Sequence, residues 1–456
     1  MRRVIPLFFS AFAVVFLCEC DGSAQSSAPK TLVFDRTSLV PRTDRLIVGV
    51  GVHFGIGGDY NYVAGKAAAA IKELGVDSFR DDLPWSSFDQ PGLPAGEHGP
   101  RKLFDFLKLA AARPLIILGY PNPAKPGGNP PITDPGRSGF ADFAARAAAA
   151  TKSFDPIYEV WNEWNMNAKA VSSPQEWLVG PGEASDPRAA QYYAALARAA
   201  IPAIEKSEPG SPILSGAVGM DKDWLWTKAI VEKGALQGAT GLSVHLYNQC
   251  EPETDKRTAT EMIDRLIALQ ADLSRGKPGG EVPIYVTEVG WPTALRVCVI
   301  SKQAAADNIA QLLLWSAATP WLKGTWIYQL KDQGQDANEM EHTFGLYDYD
   351  YHPKPAACAM KKAMEIIKAS KAYRLERPSP ATFVLQVSTE RGLRLIAWTT
   401  SDSDKALLTI AGAVQPKVQR LCNGPVQFDG EIPVGGEPVI IDITGSDSAT
   451  VLVRSE

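Results

Sequence analysis

The chain reads as an α/β protein, a (β/α)8 TIM barrel followed by a C-terminal antiparallel β-sandwich. Three observations predict this. Apolar, β-rich runs recur at intervals of roughly 30 to 50 residues with helix-like stretches between them, the pattern of a parallel sheet with crossover helices. The runs are apolar enough to be covered on both faces, as barrel strands are. Beyond about residue 370 the alternation stops, and short β-like runs separated by turn residues take over.

Taken in order, residues 1–24 have the layout of a cleavable export signal. Arg2 and Arg3 precede an apolar run over 4–17 that is too short to span a bilayer, and Gly22-Ser23-Ala24 offers small residues before Gln25. A lipidated Cys18 or Cys20 fits less well, because bulky Phe16 and Leu17 and charged Glu19 stand where small residues are wanted. Residues 25–44 form an N-terminal segment in which 31–35 is placed to add a strand to the sandwich. Eight barrel strands are expected at 46–54, 76–83, 115–120, 157–163, 213–218, 242–247, 284–289 and 325–330, within a barrel unit spanning 45–370. Ala- and Lys/Glu-rich stretches such as 64–74, 139–151, 189–205, 260–273 and 302–317 supply the helices. A doubly wound sheet is the competing architecture, but Gly55-Ile56-Gly57-Gly58 lacks the GxGxxG spacing. Runs at 382–388, 393–400, 406–410, 438–443 and 450–454 make up the sandwich, residues 371–456. Its Trp398 lies in an apolar run and reads as core, so this unit offers no aromatic binding face.

Composition narrows the function. With 45% hydrophobic and 21% charged residues the chain is ordinary globular protein, and a net charge of −5 provides no basic field for nucleic acid. No CxxC or HxxxH pair suggests a metal, and no cofactor motif is present. Eleven tryptophans exceed what a barrel core needs and hint at flat ligands.

Two segments carry the chemistry. Tyr158-Glu159-Val160-Trp161-Asn162-Glu163-Trp164-Asn165 ends the fourth expected strand, and Tyr285-Val286-Thr287-Glu288-Val289-Gly290-Trp291-Pro292 ends the seventh. Strands four and seven face each other across a barrel mouth, so Glu163 and Glu288 meet although 125 positions separate them (288 − 163). Two facing carboxyls are what glycosidic cleavage requires: one protonates the leaving oxygen, the other attacks or activates water at the anomeric carbon.

These motifs resemble the retaining glycoside hydrolases of clan A, and within it family 39, particularly exported bacterial members acting on exopolysaccharides. Further residues support the likeness: Arg80-Asp81-Asp82 with Trp85, His245-Leu246-Tyr247, and Phe344-Gly345-Leu346 followed by Pro353-Lys354-Pro355-Ala356. The resemblance covers residues 45–370. It implies Glu163 as general acid/base, Glu288 as nucleophile, Asn162 on the sugar 2-hydroxyl, Arg80 and Tyr247 flanking Glu288, and His245 on the same wall. It further implies a secreted, periplasmic or extracellular enzyme that cleaves β-glycosidic bonds of a polysaccharide or oligosaccharide by double displacement. The enzyme is expected to be a monomer, without a stable membrane anchor and without a cofactor. For the chemistry Glu163 must keep its proton near neutral pH while Glu288 stays charged.

Other residues have two readings. His53 closes the first strand and Tyr328 the eighth, so both are placed to meet a sugar. Trp326 shares the strand parity of Tyr328, leaving open which of them points inward. Trp177 and Trp291 are rim candidates, while Trp224 and Trp226 are as readily packing as sugar platforms. Glu159 is expected to be a buried, paired carboxylate. His98, His342 and His352 are placed in loops or on the surface. Asp332, Asp336, Glu339 and Glu341 fit no calcium-loop spacing and read as a solvated acidic loop. Tryptophans spread over several loops favour endo action. Alternatives are a catalytically silent carbohydrate-binding barrel, an exo-acting β-xylosidase-like enzyme and a transglycosylase; an esterase would want a GxSxG elbow, which is absent. Finally, Cys250 and Cys298 follow neighbouring strands on the rim, within reach of a disulfide in an oxidising compartment. The pair Cys358 and Cys422 ranks behind it.

Overall fold

A computed structural model describes residues 28–56, 60–90, 101–166, 187–275, 280–390, 392–412 and 416–455. The export signal, His98, Trp177 and most of the 164–186 loop lie outside the described residues. Strands β1 (Lys30–Asp35) and β2 (Val40–Pro41) come first. The barrel strands follow: β3 (Ile47–Gly51), β4 (Ser78–Pro84), β5 (Arg113–Gly119), β6 (Ile157–Val160), β7 (Ile213–Val218), β8 (Gly241–Leu246), β9 (Ile284–Val289) and β10 (Leu322–Ile327). They close in the order β10-β3-β4-β5-β6-β7-β8-β9, every pair parallel. β4, β7 and β8 are buried along their whole length; β7 and β8 are built mostly of apolar and small residues, while β4 carries Arg80, Asp81 and Asp82 towards the mouth.

The helices outside the barrel, among them α2 (Trp85–Phe88), α3 (Arg101–Leu107), α5 (Pro187–Ser207) and α6 (Leu225–Glu232), are set by local signals. α1 (Ala64–Leu74) stops at Gly75, whose φ of +70° suits a residue without a Cβ. α4 (Asp134–Thr151), α7 (Ala259–Ser274) and α8 (Lys302–Ala317) start where Thr133, Thr258 and Ser301 accept a backbone N–H. α8 is buried from Ala305 to Ala317 on every side, because the barrel lies against one face and the sandwich against the other. Its Gln311 donates to the carbonyls of Thr399 (3.0 Å) and Gly436 (2.8 Å), across that junction.

After α9 (Pro355–Ala369) the chain turns to strands β11 (Ala372–Ser379), β12 (Thr382–Val387), β13 (Leu393–Thr399), β14 (Ala406–Ala411), β15 (Lys417–Arg420), β16 (Gly424–Pro425), β17 (Ile432–Val434), β18 (Val439–Ile443) and β19 (Ser448–Ser455). One sheet runs β16-β15-β18-β13-β12-β11-β2, the other β1-β19-β14-β17, so the two N-terminal strands each complete a sheet. Alternation divides β12 and β13 between two cores. Val384, Leu395 and Ala397 face the smaller sheet, while Phe383, Ile396 and Trp398 join the barrel core, with the Phe383 and Trp398 rings stacked at 5.3 Å. Cys358 of α9 is bonded to Cys422 of the sandwich (Cα–Cα 6.2 Å). Sequence reasoning ranked that pair low because the partners belong to different units; docking of the sandwich on α9 brings them together.

Candidate active site

Arg80 organises the barrel mouth. It lies on β4, 4% exposed, and its guanidinium spreads over three strand ends. Nε donates to Glu159 Oε2 (2.8 Å), Nη2 to Asn162 Oδ1 (2.8 Å), and Nη1 to Glu288 Oε1. Glu159 is thus the buried, paired carboxylate its position suggests. Glu288, on β9, also accepts from the Tyr247 hydroxyl (2.9 Å), and His245 Nδ1 stands 3.4 Å from its Oε2. Burial alone would raise the Glu288 carboxyl; His245, Arg80 and Tyr247 outweigh it and hold the group at about 2.

Glu163 is set differently. Past the end of β6, Trp161 and Glu163 adopt φ of +69° and +46°, in the left-handed region that non-glycine residues avoid. The turn is held by its neighbours: Glu163 N–H donates to the Ala217 carbonyl (2.7 Å), and the Asn165 side chain exchanges hydrogen bonds with the backbone of Gly219 (2.6 and 2.9 Å). Gly219 also makes the space, since a Cβ there would stand 2.3 Å from Glu163 Oε1.

His245, on β8, joins the two carboxylates. Its Nδ1 is 3.0 Å from Glu163 Oε1, and Arg80 Nη2 is 3.3 Å from its Nε2. Arginine only donates, so in the neutral ring Nε2 accepts and Nδ1 carries the proton towards the carboxylates. Burial opposes charging of the ring, but Glu288 and Glu163 pull harder and its pKa is raised. Glu163, His245 and Glu288 present donor atoms all within 4.8 Å of one another, a spacing a metal ion would accept. The proton on Nδ1 and the arginine facing Nε2 make this trio a proton-sharing network instead.

Asp81 positions the first rim loop by accepting from the N–H groups of Phe54 (2.9 Å) and Gly55 (3.1 Å). His53, just before them, meets the rings of Tyr60, Tyr62 and Tyr328 at 5.6–6.0 Å, and burial lowers its pKa to about 4, so it is neutral. Tyr328 takes a hydrogen bond from Gln333 (2.8 Å), and Phe344 packs edge-on against Tyr247 and Tyr328.

Three expectations are corrected. Trp326 does not line the mouth: it is fully buried on the barrel floor with Leu115, Ile157, Leu214 and Tyr285, its Nε1 donating to Ser78 Oγ (3.0 Å). Its ring fills the space over Gly49, where a Cβ would stand 2.2 Å from it. Trp291 is 2% exposed and its N–H is taken by Asn248 Oδ1 (3.0 Å), so it packs rather than presents a face. The tryptophan excess is core as well, since nine of the ten described tryptophans, Trp224 and Trp226 among them, are buried. Glu341 is exposed, as expected of a loop acid, and desolvation, then Glu288 and Glu163 through space, raise its pKa. Cys250 and Cys298 are joined (Cα–Cα 4.7 Å), tying together the loops after β8 and β9.

A parallel eight-stranded barrel with a sandwich packed beside it is a fold found among solved glycoside hydrolases. The fold matches that of a family 39 glycoside hydrolase from Bacteroides cellulosilyticus WH2, at 21% identity over 88% of this chain and 81% of that one, with a TM-score of 0.68. It also matches a family 39 enzyme from Xanthomonas axonopodis pv. citri (15% identity, 95% and 99% covered, TM-score 0.54). A family 51 α-L-arabinofuranosidase from Bifidobacterium longum is similar too (12% identity, 94% and 99% covered, TM-score 0.57). No protein-family model and no curated protein sequence matches the chain.

Proposed function

We propose that the protein is a retaining glycoside hydrolase that cleaves β-linked polysaccharide by double displacement. The observation that carries this is the pair itself: carboxyl oxygens of Glu163 and Glu288 lie within 4.8 Å of each other. That spacing suits direct attack by one carboxylate, whereas inversion needs about 6.5–9.5 Å between the carboxyl groups to admit water. A Glu288 oxygen attacks the anomeric carbon as Glu163 passes its proton to the departing glycosidic oxygen, leaving a glycosyl ester on Glu288. Glu163, now a carboxylate facing His245 Nδ1–H, takes a proton from water as that water attacks the ester. Glu288 is released ionised and Glu163 is again protonated. Asn162 keeps its amide nitrogen for the sugar 2-hydroxyl, because its oxygen is already bonded to Arg80. A catalytically silent sugar-binding barrel would have no use for two carboxyls held in this relation.

Export is supported by two disulfides, Cys250–Cys298 and Cys358–Cys422, which persist in oxidising compartments. Among the described residues no helix is long and apolar enough to cross a membrane. With Trp291 and eight other described tryptophans buried, endo action loses most of its aromatic argument, and product lengths decide between endo and exo cutting. The test of mechanism is NMR of the first product released from a β-linked glycan: retention is expected, and an inverted product would overturn the reading.

A further inference from the structure

One amide on the rim has its nitrogen committed and its oxygen free. Gln333 lies on the loop after β10, where its backbone is fixed by the segment that carries the Phe344-Gly345-Leu346 motif. Beside it, Asp332 N–H donates to the Tyr347 carbonyl (2.9 Å), and Asp332 Oδ1 accepts from Gly345 N–H (2.7 Å) and Lys354 Nζ (2.9 Å). A Cβ on Gly345 would stand 2.1 Å from the Asp332 nitrogen, so only glycine permits this approach. On the far side of Gln333 the His342 ring occupies the space over Gly334, where a Cβ would stand 2.5 Å from it.

The side chain is held as firmly. Gln333 Nε2 donates to the Tyr328 hydroxyl (2.8 Å) and lies 3.2 Å from His53 Nε2. His53 is neutral because burial lowers its pKa to about 4, so one ring nitrogen accepts, and Nε2 is the one that faces the amide. A carboxamide nitrogen has two N–H groups, and these contacts use both. Gln333 Oε1 has no hydrogen-bond partner among the described residues; the side chain is half-buried, and the oxygen is not sealed from solvent. It is a preorganised acceptor without a donor.

Distances put this amide on the wall of the nucleophile. The Tyr328 ring stands 5.6 Å from His53 and 6.3 Å from Tyr247, whose hydroxyl donates to Glu288 (2.9 Å). Tyr328 and His53 follow the neighbouring strands β10 and β3, and β10 lies across the barrel from β6, the strand that leads to Glu163. In double displacement the leaving group departs from the side of the acid, so the opposite wall meets the sugar that stays on the nucleophile.

We propose that Gln333 is a substrate-binding residue: its Oε1 accepts a hydrogen bond from a hydroxyl of the sugar retained on Glu288, and His53 is a positioning residue that acts through it. The inference rests on the glycosidase reading and deepens it to a substrate class. An amide oxygen only accepts, so the sugar must carry a free hydroxyl at the carbon it faces. A sugar that is deoxygenated, O-alkylated or branched there is selected against.

The test is a cycle between protein and substrate. The full chain is assayed on 4-nitrophenyl β-glycosides of glucose, galactose, mannose, xylose, cellobiose and xylobiose. The best of these is compared with analogues deoxygenated or fluorinated at single hydroxyls of the reacting ring other than the 2-hydroxyl. The wild type is expected to lose about 10-fold in kcat/KM at one carbon, and fluorine, which donates no hydrogen bond, should restore nothing. Gln333→Ala, with an unchanged melting temperature, should lose about 10-fold on the parent sugar and nothing more on that deoxy analogue. His53→Phe, which keeps a ring among Tyr60, Tyr62 and Tyr328, should fall to the same level, and the double variant no lower. Parent-sugar activity unchanged in Gln333→Ala, additive losses with deoxygenation at every carbon, or additive losses between Gln333→Ala and His53→Phe overturn the proposal. If His53→Phe fails to fold, Gln333→Ala and the deoxy series decide alone. A wild type that cleaves none of these glycosides removes the glycosidase reading and this inference together, whereas cleavage indifferent to Gln333→Ala removes this inference only.

Discussion

Glu288 lies within a strand and receives hydrogen bonds from Arg80 and Tyr247, with His245 close by; Glu163 lies beyond its strand, at positive φ, with His245 as its close donor. The side-chain exposures, 13% for Glu288 and 23% for Glu163, follow the same order. The nucleophile role proposed for Glu288 asks for an ionised, fixed group, and its place in the sheet among donors suits that. The acid/base role proposed for Glu163 asks for a group that gains and loses a proton each cycle, and this one is the more exposed of the two, with the His245 ring as its close donor. The contrast comes from where the chain places each residue, since the side chains are identical.

The sharpest way to break this comparison is to remove each carboxyl in turn. Glu288→Ala should lower kcat by about 10^4- to 10^6-fold on every substrate, as loss of a nucleophile does. Added azide should then yield a glycosyl azide of inverted configuration, detectable by NMR. Glu163→Ala should cost about 10^2- to 10^4-fold on natural linkages and far less on nitrophenyl glycosides, whose leaving group needs no proton. Equal losses on both substrate types would reverse the assignment.

Smaller changes sharpen it. Tyr247→Phe removes one donor from Glu288, whose folded pKa is depressed to about 2. Activity needs the ionised form, so the acid limb of kcat/KM should move up by about one pH unit, with activity lost at higher pH on acidification. A profile unchanged below pH 5 would show that the hydroxyl contributes nothing to ionisation. The two disulfides give the last contrast. Cys358→Ser/Cys422→Ser should lower unfolding free energy by about 2–5 kcal/mol with kcat kept, because that bridge ties α9 to the sandwich far from the reacting pair. Cys250→Ser/Cys298→Ser should act on KM as well, because that bridge joins the loops after β8 and β9, next to Tyr247 and Glu288. Denaturant melts and kinetics on both variants separate the two roles.

Much of the site is legible in the chain because strand ends in a parallel barrel all arrive at one rim. Knowing only that Glu163 and Glu288 end the fourth and seventh strands suffices to place them face to face. Parity also gives the direction of a side chain, inward or outward, but not its height. Trp326 and Tyr328 share parity, yet β10 pairs Trp326 with Gly49, which β3 in turn pairs with Ser78, so the indole lies on the floor, two residues below the level of Arg80. A count of tryptophans likewise cannot tell a platform from packing. Here nine of the ten described indoles are buried, in the barrel core, on its floor and under the sandwich.

Local pattern determined the strands and the two acids, since each depends on neighbours a few residues away or on strand order alone. The tertiary structure decided what depends on distant segments meeting: the Arg80 fan over three strand ends, the glycines at 49 and 219 that make room for Trp326 and Glu163, and the bridge from α9 to the sandwich. Each joins segments far apart in the chain, because packing and electrostatic interactions act through space and a sequence records only order along the chain.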